Sequence, residues 1–195
     1  MLCRKNEPRR MCTLRRLFFL SALLLLSTSL TVSAQDSSYV PSHELPEGQE
    51  LVFVYLGSYD CVPCHKPELK RAINEAKLLL DQKAEEAGKS FSAVGVDLGW
   101  SVEKGIDFLR ETGRFDKIMV GRSWTVSAGT RYIWREEVTS PSKPSIVVYE
   151  CRVTPEDRIS ISEPTYLVSK SGASNIVEWV EDGAPLRNGS SGGKR

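Results

Sequence analysis

The sequence predicts a mixed α/β domain, and three observations carry that expectation. The run Leu51-Val52-Phe53-Val54-Tyr55-Leu56 is β-prone without alternation, as expected of a strand buried on both faces. From Glu68 to Ala87, Leu69, Ala72, Ile73, Ala76, Leu79 and Leu80 recur at three- and four-residue steps among Lys and Glu, the pattern of an amphipathic helix. A second strand and a second helix then repeat the order, which implies a parallel β-α-β start with helices covering a sheet.

Taken in chain order, residues 1–34 come first. Basic residues through Arg16 precede the apolar run Leu17 to Leu26, and small residues lead to Val32-Ser33-Ala34. This is the layout of a secretory signal peptide cleaved after Ala34. An uncleaved anchor is the alternative, but a spanning helix needs ~20 apolar residues, and Ser27, Thr28, Ser29 and Thr31 dilute the run. The mature protein is therefore expected to be exported and free of the membrane, in the periplasm of a Gram-negative source or secreted from another. Residues 35–47 read as a leader loop, 48–184 as the domain, and 185–195 as a flexible tail rich in Gly and Ser.

Within the domain, Gly88 stops the first helix, and Phe91 to Leu98 forms the second strand. Val102, Ile106 and Leu109 mark a second helix, with Ser101 at its N-cap and Gly113 past its end. Residues 114–142 form an insertion. Its pieces Ile118-Met119-Val120 and Tyr132-Ile133-Trp134 predict a β excursion of hairpin type. Pro144 leads into the strand Ser145 to Val153, and Arg158 to Val168 returns as its hairpin partner, interrupted at Pro164. Ser174 is the expected cap of a last helix through Trp179 and Val180.

Composition narrows the function classes. With 41% hydrophobic and 26% charged residues, the chain is neither wholly disordered nor a polytopic membrane protein. Six of the 26 basic residues and one of the 25 acids lie in residues 1–34, leaving 20 against 24 beyond them, a net charge of −4. No nucleic-acid partner is expected, because such binding needs a basic face. Cys3 and Cys12 leave with the signal. Cys61, Cys64 and Cys151 remain, a close pair and one distant residue, which points to a functional site rather than a disulfide framework.

Cys61-Val62-Pro63-Cys64 follows the buried strand and opens the helix. Two residues between cysteines at a helix start let the sulfurs reach bonding distance. The helix's unpaired N–H groups and dipole favour a thiolate on the first sulfur. Cys61 is thus the expected nucleophile, and Cys64 the resolving cysteine of a Cys61–Cys64 disulfide. Cys151, in a core strand, is expected to be inert, and His43 to carry no role.

On these residues the chain, from about 45 to 183, resembles the thioredoxin superfamily. The Val-Pro dipeptide is similar to that of periplasmic thioredoxin-like reductants serving cytochrome maturation, and His65-Lys66 is similar to the segment after the second Cys of periplasmic disulfide isomerases. The resemblance implies a thioredoxin-like fold, a central mixed β-sheet flanked by helices, here with a β-rich insertion before the cis-proline strand. It implies an exported thiol-disulfide oxidoreductase with protein thiol or disulfide substrates, a redox partner, and no cofactor or metal. It also implies that Pro144 is cis, faces the Cys pair and, with Lys143 before it, holds the substrate backbone; Pro141 is the weaker candidate. The chain departs from the family in having Asp60 where Trp usually precedes the first Cys, Tyr55 and no acid in the first strand, and a long stretch before Pro144. A carboxylate at Asp60 is expected to raise the thiolate's pKa, which points to a reductant or isomerase rather than a strong oxidant.

Other readings compete. Cys61-x-x-Cys64-His65 also satisfies the c-type haem attachment pattern, with His65 as a ligand and Met119 or His43 opposite. Zinc through Cys61, Cys64 and His65 is weaker, since adjacent Cys64 and His65 rarely close a tetrahedron. A catalytically weak binding module is a third class. Trp124, Tyr132 and Trp134, among Arg122, Arg131 and Arg135, either grip a peptide or pack onto the sheet. The Lys/Glu alternation of residues 66–89 reads as a solvated helix face.

Overall fold

The computed structural model describes residues 38–44, 46–121, 123–134, 141–155 and 159–186. The predicted signal peptide and residues 187–195 of the predicted tail lie outside them, as do Arg122 and Arg135. No described helix is long and apolar enough to cross a membrane.

The apolar run seen in the sequence is the core of β1 (Gly48–Gly57). A 3-10 turn, Val62–His65, separates it from α1 (Pro67–Glu86). β2 (Ser90–Asp97) lies parallel to β1 in the register Gly57↔Asp97, and α2 (Val102–Thr112) starts at Ser101, whose Oγ accepts from Lys104 N at 3.3 Å. A short β3 (Lys117–Met119) adds parallel to β2. Beyond the insertion, β4 (Ser145–Pro155) runs antiparallel to β1 on its other side. β5 (Ile159–Ile161) and β6 (Thr165–Ser171) both pair antiparallel with β4, and α4 (Ala173–Glu181) closes the domain. The sheet is thus mixed, in the order β3-β2-β1-β4-β5 with β6 also on β4. The cap of α4 is Gly172, with φ +89°, rather than Ser174, which sits inside the helix.

Alternate residues of β1 feed two cores. Leu51, Phe53 and Tyr55 pack with Leu69, Ile73 and Leu80 of α1, Phe108 of α2 and Ile176 of α4. Val52, Val54 and Leu56 belong to a second core with Val94, Val96, Val147 and Tyr149. Such a sheet needs a layer on each side, and the insertion supplies the second one. Its described part is not the β excursion expected. Only β3 is strand, and the rest is a 3-10 turn, Ser123–Thr125, and a helix, α3 (Ser127–Tyr132). Tyr132 and Ile133 are buried in the second core, with Tyr132 stacked on Tyr149 at 5.9 Å between ring centroids. For Tyr132 the packing role is the one realised.

A second correction concerns α1. Lys77, counted in the solvated face, is 0% exposed, and its Nζ donates to Arg114 O at 2.8 Å. Asn74 donates to Thr112 O at 2.7 Å, so two polar side chains of α1 tie down the end of α2 and the segment that follows it. Residues of the leader loop also dock on the domain: Tyr39 is buried edge-on against Phe91, and its hydroxyl donates to Asp116 Oδ2 at 2.5 Å.

Candidate active site

The Cys pair occupies the connection between β1 and α1. Cys61 N donates to Ser58 O at 3.1 Å, and Cys64 N donates to Cys61 O at 2.9 Å, which rolls residues 61–65 into the 3-10 turn. Pro63 suits this start, where a backbone donor is dispensable. The α-helix itself begins at Pro67, so the cysteines precede its first turn instead of forming it. Cys61 and Cys64 are joined as a disulfide with Cα atoms 5.3 Å apart. Cys61 keeps 5% exposure and Cys64 none, so the first sulfur is the one within reach of a partner.

Three neighbours shape the loop before Cys61. Asp97, at the end of β2, accepts from Tyr59 N at 3.0 Å and from Gly99 N at 2.9 Å. Burial pushes its carboxyl up, while the two N–H donors hold it down. Gly105 in α2 leaves room for it, because a Cβ there would stand 2.6 Å from Asp97 Oδ2. Asp60, expected to repel the thiolate, accepts from Lys143 Nζ at 2.6 Å and from Ser58 Oγ at 2.5 Å. The Lys143 hydrogen bond is the main cause that holds its carboxyl below the usual range. Its negative charge is therefore paired with a cation, a partner that the sequence reading of Asp60 did not include. His65 turns its Nε2 to Tyr59 O at 2.8 Å and lays its ring against Phe108.

The Lys143–Pro144 peptide is cis, and Lys143 O lies 3.6 Å from Cys61 Sγ. Pro144 O accepts from Gly172 N at 2.8 Å, which anchors the start of β4 against the end of β6. A Cys-x-x-Cys disulfide after the central strand now faces a cis-proline that opens the neighbouring antiparallel strand. The fold is thioredoxin-like. The strand order around β1, the hairpin return through β6 and the closing helix α4 agree with that assignment.

No protein-family model matches the chain, and no curated protein matches it. Among solved structures it is similar to a thiol:disulfide interchange protein, a thioredoxin family protein from Chlorobium tepidum TLS, at 9% identity and a TM-score of 0.33, over 75% of this chain and 100% of that one. It is also similar to yeast Sco1 with copper bound, at 13% identity and a TM-score of 0.35, over 75% of this chain and 94% of that one.

Around this thioredoxin-like centre, Val62 and Trp100 stand out at 81% and 75% exposure. Trp134 is 56% exposed and donates from Nε1 to Trp124 O at 3.0 Å, while Lys143 Nζ lies 5.8 Å from the Trp124 ring centroid. Among the described residues, no three His, Cys, Asp or Glu side chains gather as a metal site. Cys151 is a free thiol in the second core, paired in register with Glu50 near the opposite end of β1. Burial, then Glu50, pushes its pKa up, so it remains a thiol. His43 lies exposed in the loop before β1. Sequence reasoning missed Asp97 and the Asp60–Lys143 pair. The first had a signal, a single acid ending an apolar strand; the second joins residues 83 positions apart and had none.

Proposed function

We propose that the protein is an exported thiol-disulfide oxidoreductase acting on protein substrates through Cys61 and Cys64. One observation carries the reading: the Cys61–Cys64 disulfide, with only Cys61 retaining any exposure, faces the carbonyl before the proline that opens the adjacent strand. In the reducing direction, the Cys61 thiolate attacks a substrate disulfide and expels one substrate thiolate. Cys64 then loses its proton and attacks Cys61 Sγ, which releases the second substrate thiolate. The two electrons come from the Cys pair, and an upstream dithiol must restore it. Lys143 and Pro144 are the proposed backbone contacts for the substrate. Since Lys143 offsets Asp60, the reductant or isomerase assignment rests on the turn: a thiolate on a short 3-10 turn gains less from aligned N–H dipoles than one at an α-helix terminus.

Mass spectrometry of alkylation-trapped protein tests the reading. With reductant, two labels are expected on Cys61 and Cys64, and without it none on that pair, with catalysed reduction of a model protein disulfide. A pair that stays closed under mild reductant would leave a binding module. Visible haem absorbance in the purified protein would replace the reading with that of an electron carrier.

The two tryptophans of the insertion can be separated. Trp124 packs against the second core, whereas Trp134 is mostly in solvent. If Trp134 grips substrate, Trp134→Ala lowers turnover of a protein disulfide several-fold and leaves reaction with a small dithiol unchanged. Trp124→Ala is expected instead to lower the melting temperature, with both activities falling together. Equal losses on both substrates for Trp134→Ala would refute the grip.

A further inference from the structure

Lys143 and Asp60 meet where the Cys61 loop touches the residues that lead into the Pro144 strand. The Lys143 side chain reaches Asp60 Oδ1 at 2.6 Å, while its own carbonyl lies 3.6 Å from Cys61 Sγ. Asp60 is bonded covalently to Cys61. The two residues that adjoin Cys61, one through the chain and one through its backbone carbonyl, therefore carry opposite charges, each held in place by the other. Ser58 Oγ donates to the carboxylate, and the Trp124 ring centroid lies 5.8 Å from the ammonium. The pair is only partly covered, with side-chain exposures of 22% for Lys143 and 48% for Asp60. A pair so open contributes little to stability. Its placement on the two residues next to Cys61 matters more than its strength.

We infer that Lys143 and Asp60 form a charge-compensated clamp that sets the reactivity of Cys61, Lys143 favouring its thiolate and Asp60 opposing it by a similar amount. Both are positioning residues. The inference rests on Cys61 being the reacting sulfur of the proposed oxidoreductase. Other charged or titratable groups also face the loop: His65 and Lys66 beyond the pair, buried Asp97 from β2, and Lys104 from α2, whose Nζ lies 5.6 Å from the Tyr59 ring. Asp97 feels both members of the clamp, Asp60 pushing its carboxyl up and Lys143 pulling it down, so its response opposes part of each single-variant shift and largely cancels in the double variant. His65, Lys66 and Lys104 are paired with neither member among the described contacts and form the background.

The clamp makes predictions of opposite sign. Asp60→Asn leaves the cation uncompensated and should lower the midpoint of the Cys61 alkylation profile by roughly half to one pH unit, the scale expected for a nearby charge. Lys143→Met should raise it by a similar amount. The double variant Asp60→Asn/Lys143→Met should return near the wild-type midpoint, and Lys143→Arg should keep it. The measurement is the rate of iodoacetamide labelling of Cys61 against pH in the fully reduced full chain, with thermal melting followed alongside. Matching midpoints in all variants would overturn the inference and leave the pair a mechanical tie, as would shifts of the same sign in both single variants. Labelling needs no protein substrate, so a wild-type protein that labels normally but turns over no protein disulfide would sink the proposed function and leave this result readable.

Discussion

Replacing Cys61 by Ser is expected to abolish reduction of a protein disulfide, a loss of roughly a thousand-fold or more of the kind seen when a nucleophile is removed. Cys64→Ser should differ in kind. Its Cys61 still attacks, but nothing resolves the adduct, so a covalent complex with substrate accumulates and disappears on adding dithiol. The burial difference between the two cysteines motivates the contrast, because Cys61 keeps 5% exposure and Cys64 none. Gel mobility without reductant reads the adduct directly. Were Cys64→Ala to trap no substrate while Cys61→Ala trapped it, the roles assigned to the two cysteines would be reversed. Cys151→Ser is the control, since this thiol is buried on the other side of the sheet and should leave turnover unchanged.

The legible parts of the molecule were those with local causes. A strand buried on both faces cannot alternate, so Leu51 to Leu56 announced β1 without reference to the rest of the chain. The spacing of Leu69, Ile73, Ala76 and Leu80 announced the inward face of α1. Tyr132-Ile133-Trp134 misled for a physical reason. Its residues are β-prone, but that propensity spans only about 1 kcal/mol. Burying Ile133 and the Tyr132 ring is worth roughly 1.5–3 kcal/mol each, and the bare second face of the sheet offers that burial to a helix. Ala128 and Tyr132, four residues apart, then point the same way into the second core. The site was half legible for the same reason. The Cys-x-x-Cys spacing is local, whereas the compensation of Asp60 by Lys143 depends on β4 lying beside β1.

Lys77 shows where pattern reading runs out, and it sets a pH dependence. Its ammonium is buried between α1 and the segment after α2, 4.4 Å from the Phe115 ring centroid, with Arg114 O as acceptor. Burial lowers its pKa from 10.5 to about 8, and Asp116 only partly restores it. Below pH 8 the folded and unfolded chains both carry this proton, so the full cost of burying the charge is present. Between pH 8 and 10.5 the unfolded chain holds the proton and the folded chain does not, so stability rises with pH. Above 10.5 the cost is gone. A shift of that size corresponds to about 3 kcal/mol. Lys77→Met keeps the length of the side chain and removes the titration. The expected result is that wild-type stability, measured by urea unfolding relative to Lys77→Met, improves by about 3 kcal/mol from pH 7 to 10.5. Taking the difference cancels the tyrosines and other groups that titrate in both proteins. A flat difference would mean that Lys77 keeps its ordinary pKa, with water reaching its ammonium in solution. A falling difference would mean that the charge is stabilised where it lies, with Asp116 outweighing burial.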